Sequence, residues 1–135
     1  MSIGRYLLAV VASGIAVSFV DWFFFGILFH DKYFAYPEVW RIKRGESDAK
    51  PIILSTLLGF VTCAAFICGC TWLGLSSYVA ISKFALFVWV IAALPLVLTN
   101  GIWVKIHSLV LVAHSAGWLA RLLVAGVAAG WALRA

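Results

Sequence analysis

The chain has 135 residues, of which 65% are hydrophobic and 11% are charged, and its formal net charge is +5 at pH 7. A water-soluble domain of this length needs more polar surface around its core, so the composition excludes a soluble globular protein. The basic residues are concentrated in one segment between apolar stretches, which is typical of a loop beside a membrane, and we predict no nucleic-acid partner.

Four apolar segments are each long enough to cross a hydrocarbon core, which takes about 20 helical residues. The sequence therefore predicts an all-α, polytopic transmembrane bundle in a single domain, 1–135. Arg5 before the first apolar run resembles the start of a signal peptide, but the run continues to Phe29, which favours a retained helix. The helices are predicted at about 3–29, 51–75, 78–99 and 105–133.

The polar segment 30–50 separates the first two predicted helices. Within it, residues 37–44 are predicted to form a short interfacial helix, because Pro37 suits a first helical turn and Gly45 can close the last one. We expect this helix to contact the lipid bilayer at the depth of the headgroups. The residues predicted to make these contacts are Trp40, Arg41, Lys43 and Arg44.

The distribution of Lys and Arg predicts the orientation of the chain in the membrane. On the side of the termini lie Arg5, Lys83 and Arg134; on the side of the polar loop lie Lys32, Arg41, Lys43, Arg44, Lys50 and Lys105. Because the side richer in Lys and Arg stays in the cytoplasm, we predict both termini outside and the loop inside, in a bacterial inner membrane.

Two signals bear on the third predicted helix. Pro95 lies inside it, where a proline bends a transmembrane helix and neighbouring groups satisfy the freed carbonyl. The dipeptide Asn100-Gly101 follows and is a turn signal. We therefore expect this helix to end near Thr99.

Small residues on the last predicted helix indicate where helices pack. Gly126 and Gly130 form a GxxxG step, and Ala113 and Gly117 extend the small residues along the helix. Such steps allow close backbone approach, which is how helices associate where lipid removes the hydrophobic driving force. The pattern fits packing within the bundle and packing between copies equally well.

Ionisable residues inside the predicted spans are the strongest candidates for function. The predicted topology places Asp21, His114 and Arg121 roughly 12, 8 and 18 Å from the loop side of the membrane. An intramembrane charge normally faces protein or water and finds a partner. We predict an ion pair between Asp21 and Arg121, with an Asp21–His114 contact as the alternative. The pair is interpreted as a structural clip in preference to a proton or ion site, because a fully paired carboxylate is less free to titrate.

No cofactor is predicted, and a metal or haem site is kept as an alternative. His30, His107 and His114 can in principle supply ligands, but their spacing matches no tight metal motif. Cys63 and Cys70 share a helix face, where cysteine is usually a small apolar residue. The chain contains no nucleotide-binding glycine loop or hydrolase motif, so no catalytic residue is predicted.

Two stretches resemble a small bacterial four-helix membrane family that is described only as a domain of unknown function. The first is the aromatic-rich Asp21–Phe29, which is similar to the end of the first helix in that family. The second runs from His114–Leu119 on to Gly126–Trp131 and is similar to the family's last helix. The resemblance implies four helices and no particular activity, and the segment 37–44 does not contribute to it.

Three classes of function fit these features. The first is a non-catalytic accessory or structural subunit that packs against other membrane subunits or forms a homo-oligomer. The second is a small homo-oligomeric transporter or channel that uses Asp21 as a coupling site. The third is a haem- or metal-binding protein. A transporter predicts a cavity that reaches Asp21, whereas an accessory subunit predicts an apolar stripe and no cavity.

Overall fold

The computed structural model describes residues 1–43 and 45–134. All regular secondary structure in these residues is helical. Four of the described helices are long and apolar enough to cross a membrane: α1, Ile3–Leu28; α2, Ala49–Trp72; α3, Tyr78–Trp103; and α4, Ser108–Leu133. The predicted all-α fold with four spans is confirmed, and the protein is an integral membrane protein.

Helix α4 lies at the centre of the bundle. It packs against α1, α2 and α3, and α1 also packs against α2. Its inner face consists of small buried residues such as Ala113, Ala125 and Ala129, which let the neighbouring backbones come close. Large aliphatic side chains cover the outer faces of the four helices and remain exposed, as lipid contact requires.

Helix α1 changes its winding immediately after Asp21. Residues Ile3–Asp21 are α-helical, and Trp22–Leu28 are π-helical. The backbone N–H of Phe29 donates to the carbonyl of Phe24 at 3.2 Å, five residues earlier. A π-helical segment redirects the side chains that follow it and is frequent at functional sites.

Helix α3 contains a second π-helical segment, Trp89–Ala93, between the α-helical parts Tyr78–Val88 and Leu94–Trp103. Pro95 lacks a backbone N–H, and its ring crowds the carbonyl four residues earlier. The wider π-helical turn lies immediately before the proline, where the helix has to accommodate both effects.

The predicted turn at Asn100-Gly101 is wrong, because both residues are helical and α3 continues to Trp103. In hydrocarbon every backbone polar group must be satisfied internally, and this requirement outweighs a local turn signal. Helix α4 then begins at Ser108, three residues later than predicted. His107 precedes it, and the His107 Nδ1 atom accepts a hydrogen bond of 3.1 Å from the backbone N–H of Leu109.

The predicted interfacial helix 37–44 is not formed as a continuous helix. The loop instead contains two 3₁₀ segments, His30–Ala35 and Pro37–Val39, and Trp40 has an extended backbone. Tertiary contacts explain the difference. The Lys105 Nζ atom lies 3.4 Å from the Glu38 carboxylate and 4.5 Å from the centre of the Tyr36 ring, so the loop is held against the α3–α4 connection.

Candidate functional site

A charged pair connects α1 and α4 within the bundle. The Arg121 Nη2 atom donates to Asp21 Oδ2 at 2.6 Å, and the two side chains are 12% and 18% exposed. The contact is the one predicted from the sequence. Its short distance and low exposure are expected because a charge at the centre of a transmembrane helix costs roughly 2.5–3.5 kcal/mol on insertion scales unless it finds a partner.

The pair is not fully satisfied by protein groups. Within the described residues, Asp21 Oδ1 and Arg121 Nε are buried and have no hydrogen-bond partner. The Arg121 guanidinium lies 4.6 Å from the centre of the Trp118 ring, which adds a cation–π contact from the same helix.

A second polar contact lies beside the ion pair. Tyr33 Oη and His114 Nε2 share a hydrogen bond of 3.1 Å, so the loop residue rather than Asp21 is the direct partner of this histidine. The Phe25 ring lies 4.8 Å from the His114 ring, centre to centre. The Phe25 ring also lies beside Gly117 of α4, where an added Cβ would be 3.4 Å from it.

The Tyr33 hydroxyl stays protonated over the physiological range. Burial raises the pKa of Tyr33 above its ordinary value, and the negative charge of Asp21 raises it further. The phenol is therefore a neutral donor and acceptor at the edge of the membrane.

The loop end of the bundle contains a cavity of about 690 Å³. Its membrane-side wall is formed by Asp21, Arg121, His114, Trp118 and Phe25. Small-molecule sites typically measure about 300–1,000 Å³ and combine apolar walls with a few placed polar groups. The volume and the lining of this cavity meet both criteria.

The polar loop and the start of α2 form the remaining walls of this cavity. Tyr33, Trp40 and Ile42 come from the loop, and Ile52 and Ser55 come from the first turns of α2. The Trp40 ring lies 5.0 Å from the Tyr33 ring, centre to centre. Trp40 is therefore part of the cavity wall, and its predicted position at the depth of the lipid headgroups stays a prediction.

The other predicted interfacial residues have no common role in the described structure. Arg41 and Lys43 are exposed, and Lys43 lines the cavity. Arg44 lies outside the described residues. The loop therefore places one basic side chain at the cavity opening.

The small residues of α4 pack inside this chain. Ala113, Gly117, Gly126 and Gly130 are all buried. A Cβ at Gly126 would lie 3.1 Å from Ile81 of α3, and one at Gly130 would overlap the ring of Tyr78. The GxxxG step is thus occupied by α3.

The three histidines do not gather into a metal site. His107 lies at the start of α4, His114 contacts Tyr33, and the His30 ring lies 5.6 Å from the Phe34 ring. Among the described residues, no group of three or more His, Cys, Asp or Glu side chains is placed to hold a metal ion. Only His30 and His114 of the three reach the cavity.

Tyr33 and Trp118 are among the residues of the site that were not identified from the sequence as site residues. Tyr33 is separated from His114 by 81 positions, and no local pattern connects them. Trp118 precedes Arg121 by three positions, and residues with that spacing share a helix face, so an aromatic partner for the guanidinium was detectable.

No family model matches the chain, and no curated protein or solved structure is significantly similar to it. The resemblance to the membrane family of unknown function therefore stays a prediction. The function has to be inferred from the geometry of the cavity.

Proposed function

We propose that the protein binds a small molecule in the cavity at its loop end and acts as a small membrane transporter, with Asp21 and Arg121 as the polar centre of the site. The observation that carries this proposal is the position of the cavity of about 690 Å³, whose wall includes both members of the ion pair. Ionisable residues inside membranes commonly mark substrate or ion pathways.

The ion pair supports a binding role in addition to a structural one. An ion pair that only fixes the position of α1 relative to α4 functions best in a closely packed environment without water. Here the pair borders an open volume that also contains the Tyr33 hydroxyl and the His114 imidazole. These groups offer a ligand both charges, a neutral donor and an aromatic surface within one site.

The orientation of the site follows from the distribution of basic residues. With the loop 30–50 in the cytoplasm and both termini outside, the cavity opens toward the cytoplasmic side of a bacterial inner membrane. This orientation is part of the proposal.

A second candidate function, an accessory or self-associating subunit, is favoured by one observation. An apolar groove of about 660 Å³ lies on the outer surface between α1 and α4 and includes Leu8, Ala12, Val127 and Trp131. Small exposed residues allow a helix of another chain to approach. The mass of the assembly extracted in mild detergent tests this candidate: stoichiometric larger subunits support the accessory role, a multiple of the mass of this chain supports self-association, and the mass of a single copy excludes both.

The binding proposal is tested by a thermal-shift screen of the purified protein against small organic anions, cations and neutral compounds. A ligand at 100 times its Kd stabilises the folded state by about 2.7 kcal/mol, so a true ligand raises the Tm measurably. The matched variants are Ile42→Trp, which fills the cavity, and Val39→Trp, which changes an exposed loop residue outside it.

We expect at least one class of compound to stabilise the wild type and Val39→Trp but not Ile42→Trp. The same compound should be taken up by proteoliposomes of the wild type faster than by empty liposomes. If no compound distinguishes Ile42→Trp from the wild type, the cavity is not a binding site and the proposal fails.

A further inference from the structure

A second cavity, here called the lateral groove, opens between α2 and α3. It measures about 600 Å³, and most of its wall is apolar: Leu58, Val61, Phe66, Phe84, Val88 and Leu122. Leu58 and Val61 are 64% and 61% exposed, so the rim of the groove faces the surrounding lipid.

The lateral groove exists because of how the helices pack. Helix α2 packs against α1 and α4, and α3 packs mainly against α4, whereas α2 and α3 make few contacts with each other. Where they meet, the rings of Phe66 and Phe84 stack with their centres 5.3 Å apart. The two helices are therefore joined at this stack, with α4 as the floor of the groove.

The lateral groove and the loop-end cavity adjoin each other. Ser55, Trp118 and Arg121 line both of them. A molecule that lies in the groove can therefore place one end at Arg121, on the border of the loop-end cavity.

Arg121 determines the charge of that end. It is the only charged side chain among the described residues that line the lateral groove. A guanidinium carries five N–H donors, and the hydrogen bond to Asp21 is donated by Nη2 alone. A second carboxylate can therefore bind Arg121 while the first remains in place, and Arg–carboxylate hydrogen bonds are among the strongest in proteins.

The length of the groove fits a hydrocarbon chain. It extends along α2 from Ser55 to Gly69, about 21 Å at 1.5 Å per helical residue. One leaflet of a bilayer accounts for about half of the roughly 30 Å hydrocarbon core. A single long acyl chain is therefore long enough to occupy most of the groove.

We propose that the lateral groove binds the hydrocarbon chain of a single-chain carboxylate amphiphile, such as a long-chain fatty acid, which enters sideways from the bilayer and places its carboxylate at Arg121. This inference rests on the proposed function and specifies its substrate class. In this proposal Thr62, which lines the groove in the middle of α2, contacts the hydrocarbon chain.

The experiment measures binding of radiolabelled palmitate to the purified protein, with three competitors. Hexadecanol keeps the chain and lacks the charge, hexadecyltrimethylammonium reverses the charge, and octanoate shortens the chain. We expect unlabelled palmitate to compete about tenfold better than each of the three, because a charge-assisted hydrogen bond and a long buried chain both contribute.

Matched variants locate the binding site. Thr62→Trp fills the groove, and Leu57→Trp places the same side chain on the lipid-facing surface of α2, where Leu57 is 56% exposed and lines neither cavity. We expect about tenfold weaker palmitate binding in Thr62→Trp and no change in Leu57→Trp. The double variant Asp21→Asn/Arg121→Gln removes both charges together, so it tests the head-group contact without leaving an unpaired buried charge, and it too should bind about tenfold more weakly.

Several outcomes overturn the inference. If hexadecyltrimethylammonium competes as well as palmitate, the site does not select a negatively charged head group. If octanoate competes as well as palmitate, the hydrocarbon chain does not bind in the lateral groove. If the purified protein retains a bilayer phospholipid that palmitate does not displace, the groove is a site for structural lipid. None of these results affects the thermal-shift comparison of Ile42→Trp with Val39→Trp, so the substrate class can fail while the binding cavity stands.

Discussion

Arg121 contacts two side chains and borders two cavities. Its guanidinium pairs with Asp21, lies against the Trp118 ring, and lines both the loop-end cavity and the lateral groove. A single guanidinium can serve several partners because it has five donors. This residue therefore connects stability of the bundle with the proposed ligand binding.

The ion pair predicts a strongly non-additive effect of mutation on stability. Asp21→Asn and Arg121→Leu each leave one charge buried without its partner, which costs about 3–5 kcal/mol of the free energy of unfolding. The double variant removes both charges and should recover most of that loss. The measurement is unfolding in detergent for the wild type, both single variants and the double variant. Additive losses would show that the two charges do not stabilise each other.

At the scale of the helices, α4 organises the bundle through its small residues. Its inner face presents glycine and alanine to three neighbours, and the GxxxG step receives the Tyr78 ring at the start of α3. At the other end of the helix, Gly117 lies beside the Phe25 ring at the candidate site. The packing of one helix thus sets the position of side chains near both ends.

The substitution Gly130→Ala tests this packing. The added Cβ would overlap the Tyr78 ring, and overpacking of a filled interface costs about 1–3 kcal/mol. Gly4→Ala is the matched control, because Gly4 is also helical and nothing lies within 4 Å of the added Cβ. The Tm in detergent should fall for Gly130→Ala and remain equal or rise slightly for Gly4→Ala. An unchanged Tm for Gly130→Ala would mean that α3 and α4 are not closely packed at this step.

The π-helical segments are a feature of the elements that the sequence did not reveal. The proline in α3 predicts a distortion, and the structure resolves it as a π-helical turn at Trp89–Ala93. The segment Trp22–Leu28 contains no proline, and nothing in its composition distinguishes a π-helix from an α-helix. Phe25 lies within this segment and contacts His114 of α4, a contact that exists only in the assembled bundle.

For the whole molecule, the orientation in the membrane decides which compartment the cavity faces. The test uses two single-cysteine variants in a background without the native cysteines: Ser47→Cys in the loop and Ser76→Cys between α2 and α3. Both positions are exposed and lie at opposite ends of α2. A membrane-impermeant maleimide should label Ser76→Cys in intact cells and Ser47→Cys only after permeabilisation, because the loop carries more Lys and Arg. The reverse pattern would place the cavity opening outside.

The membrane class, the number of spans and the ion pair all follow from the sequence alone. Composition and uninterrupted apolar length decide the first two, because a hydrocarbon core admits only long helices with internally satisfied backbones. The depth of Asp21 and Arg121 in their spans, together with the cost of an unpaired charge in lipid, brings these residues together. These properties depend on the solvent and on helix geometry, which are the same for every membrane protein.

The tertiary structure decided the rest. The Tyr33–His114 contact joins positions 81 residues apart, and the packing of Gly126 and Gly130 inside the chain rather than against a partner depends on where α3 lies. The interfacial helix was replaced by 3₁₀ turns because the loop folds onto the α3–α4 connection and the cavity. The lateral groove exists because α2 and α3 leave a gap between them above α4, and the loop-end cavity exists because the polar loop folds over the ends of α1, α2 and α4. A gap between helices depends on how the helices are arranged and cannot be read from the local sequence. The charged residues that border the gap can be identified from the sequence.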